Sequence, residues 1–400
     1  MEKTICELFA GVGGFRLGLE RASRDFETVW FSQWEPGKKN QWAHDCYVQH
    51  WGDIDEYTGI DIAEVDKDRI PDHNLLVGGF PCQDYSVARP LPGSVGIEGK
   101  KGVLWWQIRD TMLAKRPPFV LLENVDRLLK SPASQRGRDF GVILSCFAAL
   151  DYSVEWRVVN AAEYGAAQRR RRTFIFAYSN KTKYALRTNN RSAEDIMSSI
   201  GFFARTFPIE QHFDLYDVEI DFNNIPEISD SFSFDFKNCG YMSNGIVYTA
   251  NVAPVEESPI TLRTLLENNV EDRYYLGDQL SKWEYLKGAK KIERTAKNGH
   301  KYIFSEGAIA FPDSIDLPAR TMLTSESSVN RSTHVVRDPE TGKLRLLTPL
   351  ETERIQGFDD NWTNTGMPLR FRYFCMGNAL VVPMITRMGR TLITIMEGED

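Results

Sequence analysis

The chain has 400 residues, 42% hydrophobic and 26% charged, and a formal net charge of −7. That is the make-up of an ordinary globular protein with room for a large α/β core and a smaller module, and it speaks against a protein that coats nucleic acid, though not against a local basic cleft. Six cysteines (6, 46, 82, 146, 239 and 375) form no C-x-x-C pair and no cysteine–histidine cluster, so no metal is expected, and reduced thiols in a cytoplasm are.

In chain order, apolar runs predict strands at 4–9, 28–33, 75–80, 119–124, 153–160 and 172–178. Amphipathic stretches between them predict helices at 15–24, 38–49, 103–115 and 136–150. This alternation means βαβ units and a parallel sheet with helices on both faces. The last two strands have no helix-length segment between them, so an antiparallel pair at a sheet edge is expected. The first strand begins almost at once, which leaves no secretory signal, and no apolar run approaches a membrane span.

After about residue 185 the rhythm stops. Residues 209–236 hold eight acidic and no Lys or Arg side chains among several phenylalanines, and 282–301 turns basic, with Lys290 and Lys291 at its centre. The expected division is a catalytic and cofactor-binding domain at 1–190, a second, smaller domain at 191–335, and a segment at 336–400 that returns to the first. Thr348-Pro349-Leu350-Glu351 reads as a capped helix start, and 379–396 as a terminal helix.

Chemistry-bearing residues gather at strand ends. The first strand runs into Phe9-Ala10-Gly11-Val12-Gly13-Gly14-Phe15, a turn that lets a ligand approach the backbone amides of a helix amino terminus. Its G-x-G-G spacing is not that of a pyrophosphate site. Glu35 after the second strand suits a ribose diol and Asp53 an adenine amino group, so a nucleoside cofactor without a phosphate tail is expected; a tight turn and two solvated acids is the plain alternative. The third strand breaks at Gly78-Gly79-Phe80-Pro81-Cys82-Gln83 and delivers one cysteine to the same rim. Glu123 ends the fourth strand, either exposed on the rim or held in a pocket. In Gln168-Arg169-Arg170-Arg171-Arg172, alternation sends Arg170 and Arg172 to one face and Arg169 and Arg171 to the other, the second pair reading as a charged strand edge.

These blocks, in this order, resemble the DNA cytosine-5 methyltransferases. The match takes in Phe9 to Phe15, Glu35, Gly52-Asp53-Ile54, Gly78 to Gln83 with Ser86, Gly102-x-Leu104, Glu123-Asn124-Val125, Gln168-x-Arg170-x-Arg172, Pro318 to Met322, Leu347 to Phe358 and Gly377-Asn378-Ala379. The resemblance implies an S-adenosylmethionine-dependent methyltransferase sheet of Rossmann-like form, with 191–335 as target-recognition domain. It gives Cys82 the role of nucleophile at cytosine C6, Glu123 that of holding and protonating N3, and Arg172 with Arg170 those of contacting the base oxygen and orienting the site. The cofactor, left as S-adenosylhomocysteine, would lie over Phe9 to Phe15, with Glu35, Asp53, Ile54, Pro81, Leu104, Asn378 and Ala379 around it and no metal. The implied partner is duplex DNA with the target base flipped out, contacted by Ser86 and Lys101; the basic run with Lys290 and Lys291 is expected to face it too, a solvated helix face being the plain alternative. Ala88 stands where a small hydroxyl residue is expected to fill the vacated stack, and Arg89 is preferred for that task. A monomer of bacterial or phage origin, with a cognate restriction endonuclease as possible companion, completes the expectation. The nearest rival, a transfer-RNA methylating enzyme of the same fold, has a second proline where this chain has Phe80.

Overall fold

In a computed structural model the described residues are 1–80, 103–220, 232–295 and 299–400. The first half follows the alternation: β1 (Lys3–Leu8), α1 (Gly14–Ala22), β2 (Phe26–Ser32), α2 (Trp42–Trp51), β3 (Leu75–Gly79), α3 (Val103–Lys115), β4 (Phe119–Val125), α4 (Arg138–Ala149), β5 (Tyr152–Asn160) and β6 (Arg171–Ser179). Then come α5 (Lys183–Thr188), α6 (Ala193–Asp195), α7 (Phe202–Thr206), β7 (Leu215–Glu219), β8 (Cys239–Ser243) and β9 (Ile246–Ala250). The chain closes with α8 (Leu280–Lys287), β10 (Lys290–Thr295), β11 (Lys301–Glu306), β12 (Val335–Arg337), β13 (Leu344–Leu346), α9 (Pro349–Gln356), α10 (Leu369–Asn378) and α11 (Val382–Glu397).

One nine-stranded sheet, ordered β2-β1-β3-β4-β6-β5-β8-β9-β7, organises the molecule. Its first four strands are parallel and buried on both sides, which is why Leu75, Leu76 and Val77 are all apolar and all fully buried. Alternate residues feed two cores. Ile5, Val77 and Leu121 pack on the face covered by α1 and α11, while Cys6, Leu76 and Val120 pack on the face covered by α3 and α4.

The β5–β6 pair is antiparallel, as expected, but it does not lie at a sheet edge. β6 pairs with β4, and β5 with β8, so β8, β9 and β7 extend the sheet beyond it. Three strands from the stretch that composition sets apart as a second module are thus part of the main sheet. The β8–β9 hairpin turns at Asn244 and Gly245, both at positive φ (50° and 79°), the pairing favoured in two-residue hairpin turns. Near the end, α11 lies along α1. A Cβ on Gly18 would stand 2.5 Å from Ile385 Cβ, and one on Gly389 2.7 Å from Ala22 Cβ, so glycine on each helix lets the backbones approach. The helix predicted after Thr348 starts there with its capping box formed.

Candidate active site

The parallel register places three strand ends at one rim. Leu8 is opposite Gly78, and Gly79 opposite Glu123. Beyond β1 the chain turns sharply: Phe9 and Gly11 sit at φ 57° and 58°, and Gly13 at 85°, the left-handed region that a phenylalanine seldom adopts. Gly11 N donates to Gln33 Oε1 at 2.7 Å, and Ala10 N to Ser32 O at 3.0 Å, tying the turn to the end of β2. A Cβ on Gly13 would meet the Trp51 ring at 2.2 Å, whereas one on Gly11 would meet no heavy atom of the described residues within 4 Å. The turn is therefore packed on one side and open on the other. The side chains of Val12 and Phe15 are buried in the core, so those two positions can offer a ligand only their backbone.

Under the turn, Glu7 is buried and accepts a hydrogen bond from Tyr47 Oη at 3.0 Å. Burial pushes its carboxyl up to about 8. Glu7 was not singled out from sequence, because a glutamate inside an apolar strand carries no signal of its own.

The residues expected around a cofactor are placed as follows. Glu35 is half-buried; its amide donates to Gln41 Oε1 at 2.7 Å, and burial raises its carboxyl above the usual range. Its Oε2 is buried and takes no hydrogen bond among the described residues, an arrangement that a ribose hydroxyl pair would satisfy. Asp53 is held by Thr58, whose Oγ1 donates to Asp53 Oδ1 at 2.6 Å, and the Ile54 amide donates to the same oxygen at 2.9 Å. Asn378 stands exposed at the end of α10, and Ala379 follows it. Gln356 Nε2 donates to Met376 O at 2.6 Å and Ala379 O at 3.3 Å, fixing that corner from beneath. Leu104 lies half-buried in the first turn of α3.

At the other side of the rim, Arg172 Nε is 2.7 Å from Glu123 Oε1, both side chains mostly buried. Gly79 makes room for the pair, since a Cβ there would lie 3.3 Å from Glu123 Oε2. Asn124 Nδ2 donates to Phe80 O at 2.9 Å, pinning the chain where it leaves β3 towards Pro81 and Cys82. Cys82 itself, with Pro81, Ser86, Arg89 and Lys101, lies outside the described residues.

Arg170 does not share this position. It is buried, donating to Met322 O at 3.0 Å and Gly377 O at 2.9 Å. Burial pulls its guanidinium down to about 9, so it stays charged at neutral pH. Of the two tasks expected of the arginine pair, contacting the base and orienting the site, the bonds of Arg170 suit the second: it holds the segment around Met322 and the residue before Asn378, close enough for Arg172 and Glu123 to act on its charge, and it precedes β6 rather than alternating with Arg172 along it. Beside it, Gln168 Oε1 accepts from Met322 N at 3.3 Å, another positioning contact not singled out from sequence. Arg171 is exposed near Asp126 at 3.5 Å, but β6 lies between β4 and β5, so the charged edge expected of it is not a sheet edge.

The two lysines expected to face DNA differ. Lys291 is exposed on β10. Lys290 is not a free phosphate contact: its Nζ donates to Leu286 O at 3.2 Å, lies 3.8 Å from Glu306 and sits 4.6 Å from the Tyr285 ring centroid. Strand pairing, invisible in a run of basic letters, turned it inward.

The glycine turn after β1 and the arginine-held Glu123 at the end of β4 thus lie at one sheet rim. The family model for C-5 cytosine-specific DNA methylase matches residues 3–394, and the chain belongs to that family: it is a DNA cytosine-5 methyltransferase. It is 52% identical over 394 residues, 97% of this chain and 95% of the relative, to the Type II methyltransferase M.Sau3AI of Staphylococcus aureus. It is 33% identical over 174 residues to the Type II methyltransferase M.HhaI of Haemophilus parahaemolyticus, which covers 44% of this chain and 48% of that one. Among solved structures, the Dnmt2 methyltransferase of S. pombe shares the fold with a TM-score of 0.59 at 14% identity, covering 98% of both chains.

Proposed function

We propose that this enzyme transfers a methyl group from S-adenosylmethionine to C5 of a cytosine flipped out of duplex DNA, through a covalent bond from Cys82 to C6. The observation that carries this is the Glu123–Arg172 pair, 2.7 Å apart and opposite Gly79, two residues before the Pro81-Cys82 step. S-adenosylmethionine supplies an electrophilic methyl on a sulfonium. Glu35, Asp53, Asn378, Ala379 and the open face of the glycine turn would hold it; the unmet Glu35 Oε2 and the empty space at Gly11 suit such a guest.

The rest belongs to the protein and the base. Cytosine C5 is a poor nucleophile until the Cys82 thiolate adds to C6, and that addition is eased when Glu123 delivers a proton to N3. Arg172 fixes the Glu123 carboxyl and presents positive charge to the base oxygen. Once the methyl is on C5, loss of the C5 proton and expulsion of Cys82 restore the aromatic ring. The base is reached outside the stack, at an unstacking cost of a few kcal/mol. Within this reading 191–335 carries target recognition, with Lys291 at a phosphate, the enzyme acts as a monomer, and a restriction endonuclease shares its site.

Purified enzyme given methyl-labelled S-adenosylmethionine should label duplex DNA of mixed sequence and leave transfer RNA unlabelled. Label on RNA alone would overturn the DNA assignment.

A further inference from the structure

A cavity of about 590 Å³ opens beside the amino-terminal end of α10. Arg370, Arg273, Ser327, Ser328, Leu346 and Tyr373 line it, and among the described residues no carboxylate does. Arg370 is the second residue of α10, whose first turn holds no acid. A cation there faces the positive end of the helix, an arrangement that costs stability unless an anion comes between. Arg372, on the same turn, has its anion in Glu353 at 2.8 Å. Arg370 is exposed and has no ion pair or hydrogen bond among the described residues.

The cavity also has a defined place relative to the chemistry. Ser327 and Ser328 follow the Ala319–Met322 segment, which lies on the entrance to β6: Arg169 N donates to Ala319 O, and Ala319 N to Ala167 O, both at 2.8 Å. From Arg370, α10 runs eight residues to Asn378, roughly 12 Å at the usual helical rise.

We propose that this cavity binds a phosphate of the DNA backbone, with Arg370 as the main contact, Arg273 as the second, and the Ser327 hydroxyl as a further donor, the Ser328 hydroxyl being engaged with Ser325 O at 2.7 Å. The proposal rests on the duplex-DNA reading above. Arginine suits the task, since its planar fork can grip two phosphate oxygens at once. Arg273 pairs with Glu271 at 2.9 Å, but both side chains are more than half exposed, so an incoming phosphate can compete for it.

The test is duplex affinity against salt concentration for the wild type, Arg370→Gln, Arg370→Lys and Arg273→Gln. Arg370→Gln should bind about ten-fold more weakly near 0.15 M salt, with the log–log slope shallower by about one. Arg370→Lys should keep the slope, and S-adenosylmethionine affinity should be the same in all four. An unchanged slope in Arg370→Gln overturns the proposal. Inorganic phosphate alone is the second probe: if it raises the melting temperature of the wild type but not of Arg370→Gln while DNA slopes coincide, the cavity takes a free anion and the backbone assignment is wrong. If the wild type itself binds no duplex, the functional reading has failed, a result visible without any variant.

Discussion

Arg172 grips Glu123 across the β4–β6 ladder, Nε to Oε1 at 2.7 Å, and the two strands need not be neighbours in sequence for this to happen. Arg172 is paired with Val125, two residues beyond Glu123, so the contact is the diagonal one that long side chains make on a sheet face. An antiparallel β6 brings its first residues to the rim where the parallel strands end. Glu123→Gln keeps the shape but removes the proton, and should lower the single-turnover methylation rate by about 10²–10⁴-fold with little change in cofactor affinity. An equal loss in cofactor affinity would place Glu123 elsewhere.

Glu35 offers a cleaner separation of binding from folding. Its Oε2 has no hydrogen bond to lose, so Glu35→Gln should melt at or slightly above the wild-type temperature. Its affinity for S-adenosylmethionine or S-adenosylhomocysteine should fall about 10–100-fold, the worth of a hydrogen bond to a charged group. Calorimetric titration of both proteins decides it; unchanged affinity would remove Glu35 from the ribose.

The first turn contains two glycines with opposite surroundings. Gly13→Ala drives a methyl into the Trp51 ring at a φ of 85°, so it should destabilise the fold by about 2–4 kcal/mol, left-handed strain alone costing about 1–2. Gly11→Ala meets no heavy atom of the described residues within 4 Å and should cost only the left-handed strain, yet weaken cofactor binding because its methyl enters the open face. Urea melts and cofactor titrations of the two variants should therefore rank them in opposite order.

Two buried carboxyls make stability depend on pH. Burial raises Glu7 to about 8 and Glu155 to about 7, both well above the unfolded value of about 4.3. Between those values the folded chain binds more protons than the unfolded one, so their contribution is full below about pH 4 and is lost as pH rises through 7 to 8. Unfolding free energy measured by urea at pH 6 and pH 9 should fall in the wild type and fall less in Glu7→Gln. Identical pH dependence in the two would show that Glu7 is ionised at neutral pH.

Much of this was legible beforehand. A short apolar run broken by two glycines, such as Leu75-Leu76-Val77, reads as a strand covered on both faces, and the carboxyl ends of parallel strands share a rim. Glu35, Glu123 and the glycine turn were read that way and meet at one edge. What stayed hidden depends on partners far away in sequence. Arg170 and Arg172 look alike as letters, but Met322 O and Gly377 O claim the first and Glu123 the second. Lys290 looked like its neighbour until β11 brought Glu306 beside it. The extension of the sheet by β8 and β9 did have a local signal, the Asn244-Gly245 turn between two apolar runs, masked by the acidic, phenylalanine-rich stretch before it. Asn124 carries no task in the sequence; its bond to Phe80 O links it to the strand that leads to Cys82.

The most direct test is to trap the bond from Cys82. Wild type and Cys82→Ser would each be incubated with duplex DNA containing 5-fluorocytosine and methyl-labelled S-adenosylmethionine, then denatured. Fluorine cannot leave C5 as a proton does, so the wild type should carry a labelled, denaturation-resistant adduct and the variant none. An adduct of equal yield in Cys82→Ser, or none in a wild type that methylates ordinary duplex, would contradict covalent catalysis by Cys82.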